Sequence, residues 1–387
     1  MQDPGKYLET PMPTVYKRAE VTPRSPKRLA FSLIAILLGL TVPLFVLEVV
    51  LRFLPVTSAT GTMVVDDTNP IVRFAPNQTF TFSKGWQFAL TNTGRINNYG
   101  FINAQDYVKA GKQRPLMIIG DSYVEAKMVP YEETVQGRLA KVLEAKTKVY
   151  SIGVSGSSLS QYLAFAEYAW AEFHPQAMAF IIIGNDFDES LLKYKSEPGF
   201  HYFKESDSNH DLNLVRIDYR PSLTKRVIRA SALARYLWGT VGIGEVSLWP
   251  NAKAEYVGNT AAHVSEERLA DSRRVVDVFF SELPKRVGLS KDRYVFVVDA
   301  MRPQIYSDSD LTSASDSYFG HMRKYFLEQA KINEYEAIDM QSRFLSRHLR
   351  DGSRFEFTID SHWNGVGHQE AAEAIATSRA FETVWSY

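Results

Sequence analysis

Apolar and polar positions along the chain fall into distinct regimes. Residues 1–28 mix proline with scattered charge and show no period, which predicts a short irregular tail. Leu29 to Leu47 then reads LAFSLIAILLGLTVPLFVL without a charge, and the apolar character continues to Leu54. About 20 apolar residues in helix span the hydrocarbon core of a bilayer, and spanning helices tolerate a proline such as Pro43. The pattern predicts one transmembrane helix over residues 29–54, with Glu48 and Arg52 four apart and able to pair at its far end. Residues 55–94 hold Thr, Asn, Pro and Gly with short alternating pieces such as Thr79-Phe80-Thr81-Phe82. They predict a juxtamembrane segment whose strands pack on the domain that follows.

From residue 115 strand and helix signals alternate, the mark of a parallel α/β sheet. Strands are expected over Pro115–Ile119, Val149–Ile152, Ala177–Ile183, Tyr294–Val298 and Glu336–Asp339. Helical spacing runs over Glu133–Ala145, Leu159–Phe173 and Gln369–Trp385. Together these predict a domain over residues 95–387, a three-layer α/β/α sandwich around a five-stranded parallel sheet. An insertion is expected at about 190–260. Its first part, Leu191–Arg220, is polar and irregular. Its second, Leu223–Val241, sets Lys225, Arg226, Arg229 and Arg235 on a helical pattern with Leu233, Tyr236, Leu237 and Trp238. This element either shapes a substrate site or packs as a helical cap.

Composition narrows the classes. A 387-residue chain with 45% hydrophobic and 13% aromatic residues can bury a substantial core. Lys plus Arg and Asp plus Glu each number 44, so nothing points to nucleic acid as a partner. The absence of cysteine excludes a thiol nucleophile, a disulfide framework and thiolate metal sites. Neither HExxH nor an EF-hand loop is present, nor a P-loop or dinucleotide fingerprint. No metal or cofactor is expected.

Charge also orients the apolar run. Lys6, Lys17, Arg18, Arg24, Lys27 and Arg28 precede it, whereas only Arg52 and Arg73 follow before Lys84. The positive-inside rule puts the first residues in the cytoplasm and the rest outside, as in a single-pass inner-membrane protein. A cleaved signal peptide is the competing reading, but its apolar core is about 7–15 residues, shorter than this one, and Val56-Thr57-Ser58-Ala59 is a poor cleavage site. A buried soluble helix would be amphipathic, and this one is apolar all round.

Candidate chemistry lies in four places. Gly120-Asp121-Ser122-Tyr123 follows the first strand, where open α/β sheets place their ligands. Asp360-Ser361-His362-Trp363 lies far downstream. Ser122, His362 and Asp360 are the raw material of a nucleophile, a base and an orienting carboxylate. Between them, Gly153-Val154-Ser155-Gly156 and Gly184-Asn185-Asp186 supply the backbone N–H and side-chain amide donors of which oxyanion holes are made. Plainer roles compete: Ser122 as a helix cap, Asn185 as a turn residue, Gly153 as a turn glycine with positive φ. His368 is expected at a helix start, with a minor claim to be the base.

The four blocks in this order resemble the SGNH (GDSL-type) hydrolase superfamily. The resemblance implies its flavodoxin-like fold, a Ser122 acyl-enzyme, and an oxyanion hole of the Ser122 and Gly156 N–H groups with the Asn185 amide. Two departures stand out. Only Ser361 separates Asp360 from His362, where two residues are commoner, and Ala126 stands where glycine is frequent. The Asp-x-His-Trp form is similar to bacterial polysaccharide O-acetyltransferases, including the alginate acetylation proteins. That likeness implies an ester-bearing glycan or lipid substrate, and for a transferase an acyl donor from a membrane partner. Esterase and transferase stay open at this point. So does a non-catalytic envelope scaffold or assembly subunit.

Overall fold

Five short strands build the centre of the protein, seen in a computed structural model that describes residues 26–385 except 112–113, 145, 207–209, 244–255, 258–259, 262 and 307–313. They are β1 (Leu116–Gly120), β2 (Val149–Gly153), β3 (Ala177–Ile182), β4 (Tyr294–Val298) and β5 (Glu336–Asp339). All are parallel, in the order β2-β1-β3-β4-β5. Every residue of β1 to β4 is buried, which is why these strands read as mostly apolar runs, broken only by Ser151 in β2, rather than as alternation.

Successive side chains serve opposite faces. Met117 and Ile119 join Phe165, Phe279 and Phe326 on one side, and Leu116 and Ile118 join Leu139, Phe344 and Ile375 on the other. Each such side chain contributes about 1.5–3 kcal/mol by leaving water. Helices α3 (Leu159–Phe173), α4 (Glu266–Arg286) and α5 (Tyr318–Ile332) cover the first face. Helices α2 (Val135–Leu143), α6 (Met340–Asp351), α7 (Gly365–Ala376) and α8 (Arg379–Trp385) cover the second. The expected three-layer sandwich is what forms. Its strand order reverses direction between β1 and β3, so a crevice opens at the C-terminal end of β1.

Three local expectations are corrected. Helix α2 begins at Val135, not Glu133, because Tyr131–Glu133 forms a separate 3-10 turn and Thr134 caps α2 by accepting from the Gly137 N–H. The closing helix is two, since Ser378 starts α8 by accepting from the Phe381 N–H. The connection from β3 to β4 is less irregular than its sequence. It contains a hairpin, His201–Glu205 with Leu212–Arg216, then short helical pieces from Leu223 to Thr240. The 21-residue α4 follows, capped by Ser265, with Glu266 and Glu267 at its start and Lys285 and Arg286 at its end, as the helix dipole favours.

Helix α1 (Pro26–Leu51) precedes this body, and the compact units divide between Val49 and Val50. Its 26 residues make about 39 Å of helix, longer than the ~30 Å bilayer core, and an 18-residue window has mean hydropathy 2.6. The Thr41 hydroxyl is satisfied by the Leu37 carbonyl at 2.8 Å. After Val50, an antiparallel hairpin (Gln78–Lys84 with Leu90–Ile96) carries Lys84 towards the sheet's C-terminal edge.

Candidate active site

The turn after β1 is held by the Asp121 carboxylate and by its own backbone bonds. Asp121 caps the single-turn helix Ser122–Glu125, its carboxylate accepting from the Tyr123 N–H and from Ser122 Oγ, both at 2.9 Å. A Cβ on Gly153 would stand 2.6 Å from Glu125 N and 2.9 Å from the Asp121 carbonyl oxygen. Gly153 is therefore required by the close approach of β2 to this turn. It is not among the residues with positive φ, which corrects the turn-glycine reading. Gly156 is, at +83°. Ala126, where the resemblance leads one to look for glycine, takes φ 46° and ψ 42° at the end of the turn. A side chain in that left-handed region costs about 1 kcal/mol relative to glycine. Buried Glu125 ties the neighbouring loop by accepting from the Ser155 N–H and pairs with Lys127 at 2.6 Å.

Side chains hold the second half of the site. Asp360–Trp363 is a short strand paired with Glu356–Phe357. Asp360 Oδ1 lies 2.5 Å from His362 Nδ1 and also accepts from the His362 backbone N–H at 3.0 Å. Its other oxygen accepts from Lys84 Nζ at 2.9 Å. Burial alone would raise the Asp360 carboxyl, but the hydrogen bonds and charge of His362, with Lys84, outweigh it and hold the group well below the usual carboxylate range. The residues flanking His362 are fastened to one buried ion pair. Trp363 Nε1 donates to Asp299 Oδ1 at 2.8 Å, Asp299 Oδ2 meets Arg302 Nε at 3.0 Å, and Arg302 Nη1 donates to the Ser361 carbonyl at 2.7 Å. Tyr123, next to Ser122, donates its hydroxyl to the same carbonyl at 3.1 Å and accepts from Arg302 Nη2. Its ring centroid is 5.0 Å from that of His362.

Ser122, Asp360 and His362 line one cavity of about 280 Å³, together with Lys84, Ser155 and Thr240. Larger cavities among the described residues, of about 620, 660, 330 and 300 Å³, lie elsewhere and share none of these residues. Ser122 Oγ faces the Asp121 carboxylate here, and burial lifts that carboxyl to about 6. Gly156 follows the cavity residue Ser155. Asn185 is joined to Gly156 through a bridge: its amide donates to Glu189 at 3.1 Å, Glu189 pairs with Lys195 at 2.6 Å, and Lys195 donates to the Gly156 carbonyl at 3.0 Å. One Asn185 N–H is thus committed to a carboxylate. His368 is buried, with Nδ1 accepting from the Val135 N–H at 3.3 Å. Burial, with nearby Arg138, lowers it to about 3, which fits a structural role and not a base. Among the described residues no group of three or more His, Cys, Asp or Glu side chains could hold a metal ion.

Sequence reasoning missed Lys84, Asp299, Arg302 and Glu125. Tyr123 and Trp363 enter it only as parts of motifs. The available signal was Asp299-Ala300-Met301-Arg302 directly after an apolar strand, at the C-terminal edge where open sheets place their ligands.

No family model and no curated protein matches the chain. Solved structures that resemble it include an acetyl xylan esterase, AlAXEase, at 13% identity and TM-score 0.37, covering 67% of this chain and 97% of that one. A lipase/acylhydrolase from Enterococcus faecalis matches at 10% identity and TM-score 0.38, covering 71% and 97%. A GDSL-like lipase from Parabacteroides merdae matches at 14% identity and TM-score 0.37, covering 71% and 99%. At such identities and scores none of these likenesses decides what this chain does, and the site's own geometry has to.

Proposed function

We propose that the chain is an SGNH-type serine acyl hydrolase or acyltransferase, anchored by α1, whose substrate is an ester on an extracytoplasmic glycan or lipid. The observation that carries this reading is the Asp360–His362 pair lining the same cavity as Ser122, at the point where the strand order reverses. Ser122 Oγ turns from Asp121 to His362, loses its proton to the imidazole and attacks the acyl carbonyl. The proton returns through His362 to the departing alcohol oxygen, leaving an ester on Ser122. Water or a sugar hydroxyl, deprotonated in turn by His362, then takes the acyl group. Asp360 holds the Nδ1 proton and stabilises the imidazolium. The Ser122 and Gly156 N–H groups and the Asn185 amide stabilise the oxyanion, each donor being worth about 3–4 kcal/mol of barrier. For Asn185 this requires its free N–H, or release from Glu189.

Length and hydropathy support the anchor, and the basic residues before Leu29 favour their lying on the cytoplasmic side of the inner membrane. A transferase so placed would draw on a membrane partner for its acyl donor. The test is turnover of 4-nitrophenyl acetate by the detergent-solubilised full chain, with and without a glycan acceptor. Turnover by wild type and its loss in Ser122→Ala, with folding unchanged, supports the reading. Acceleration by the acceptor, with acetyl found on the sugar, would mark a transferase. Equal turnover in Ser122→Ala would remove Ser122 from the chemistry.

A further inference from the structure

Around the residues that follow α1, the folded body carries large apolar side chains on its surface. Phe53 is 85% exposed, Trp86 67% and Trp238 64%, with Leu54 and Ile228 also exposed. They come from three stretches of chain that local contacts draw together. Leu51 and Val56 pack with Ala232, and Phe88 and Tyr236 lie against this cluster. The Tyr236 hydroxyl donates to the Trp86 carbonyl at 2.7 Å, and the Gly85 N–H donates to the Thr240 carbonyl at 2.8 Å. Arg52 donates to the Ala230 carbonyl at 3.4 Å. The helix Leu223–Ala230, which carries Ile228, reads LTKRVIRA and has no acidic residue. Other exposed apolar side chains, such as Val108 and Leu349, stand singly among polar neighbours and need no explanation. A grouped patch is different, because soluble surfaces rarely keep one without a partner.

We propose that this face of the body docks on the bilayer surface, with Phe53, Trp86, Ile228 and Trp238 in the headgroup region and the basic helix against anionic lipids. It rests on the reading of α1 as an anchor. Three features favour lipid over another protein as the occupant. The patch is continuous in sequence with the apolar span, Phe53 lying two residues beyond Leu51. Tryptophan favours the membrane–water interface, where its ring is buried and its N–H stays wet. Arg229, beside Ile228, matches the negative surface of an anionic bilayer. The same stretches, through Thr57 and Gly239 to Gly242, line the cavity that holds Ser122. Docking therefore sets the cavity at headgroup level, within reach of an acyl group presented at the membrane.

The chain has no cysteine, so single probes can be placed without altering other residues. Phe53→Cys, Trp86→Cys, Ile228→Cys and Trp238→Cys, with Val108→Cys and Leu349→Cys as controls, would be labelled with an environment-sensitive NBD dye. The full chain is reconstituted in vesicles of phosphatidylethanolamine and phosphatidylglycerol. Flotation with the vesicles, a blue shift at the four patch positions, and quenching there by nitroxide lipid but not at the controls are the expected results. Flotation with patch probes as unquenched as the controls would overturn docking while leaving the anchor intact, and would leave the patch to a protein partner. Failure to float after alkaline washing would overturn the anchor and the docking together.

Discussion

The two halves of the candidate site are built on opposite plans. The Ser122 turn is positioned by absence: Gly153 lets β2 press against Asp121 and Glu125, where any side chain would collide. The His362 strand is positioned by presence: a buried tryptophan, arginine and aspartate grip the residues on either side of it, and Lys84 arrives from a distant hairpin to hold Asp360. Close packing of backbone tolerates almost no substitution, and this turn also buries the Asp121 and Glu125 carboxylates. A buried ion pair is the more exposed design, because removing one partner strands the other's charge. Tyr123 and the Ser361 carbonyl join the halves, so a disturbance in the network reaches both.

The contrast can be broken most severely at Asp360. Asp360→Asn should keep the shape, favour the wrong His362 tautomer and lower kcat/KM on the order of 10⁴-fold, measured on an activated ester. His362→Ala should be at least as damaging, and the double variant little worse than either single.

Lys84 offers a finer cut. Around His362 stand Asp360, Asp121, Lys84, Arg302 and Tyr123, with Glu125 and Lys127 lining the same cavity. Lys84→Met removes the donor to Asp360 Oδ2, one of the contacts that hold this carboxylate charged and in place against His362 Nδ1. A hydrogen bond to a charged group is worth about 1.5 kcal/mol, so kcat/KM on an activated ester should fall about tenfold. Lys84→Arg, which keeps a cationic donor, should recover most of that loss. An unchanged rate in Lys84→Met would make Lys84 a packing residue only.

Much of the fold was legible, because strands buried on both faces announce themselves as apolar runs: Ala177–Ile183 and Tyr294–Val298 needed no context. Helix α4, just beyond the expected insertion, was not anticipated. Its Arg268, Asp271, Arg273 and Arg274 dilute the stripe that Leu269, Val276, Phe279, Phe280 and Leu283 make at helical spacing. At the site, Ser122, Asp360 and His362 were readable because each stands in a short local motif. Lys84, Asp299 and Arg302 were not, since their roles come from contacts between residues remote in sequence. Tyr123 shows the limit well: it lies beside Ser122, yet nothing local says that its hydroxyl reaches Ser361.

His368 gives the smallest effect, read in stability and not in rate. Its value falls from 6.5 to about 3 through burial. The unfolded chain therefore takes up that proton first as pH drops. The His368 contribution is full above about 6.5 and is lost progressively towards 3, by up to about 1.4 kcal/mol per pH unit. Urea melts of wild type and His368→Asn at pH 7 and pH 5 should show a shallower decline in the variant. Equal slopes would mean that His368 is not neutral in the folded protein.

Peptide mapping after reaction with a fluorophosphonate probe tests the central claim most directly, because the reagent phosphonylates an activated serine and spares an ordinary one. The account predicts one modified serine, Ser122, with labelling lost in His362→Ala and slowed in Asp360→Asn, and with Ser151, Ser155 and Ser361 untouched. A folded wild-type protein that takes up no probe at Ser122, or equal labelling in His362→Ala, would contradict it and make this chain a scaffold that carries the geometry of a site without its chemistry.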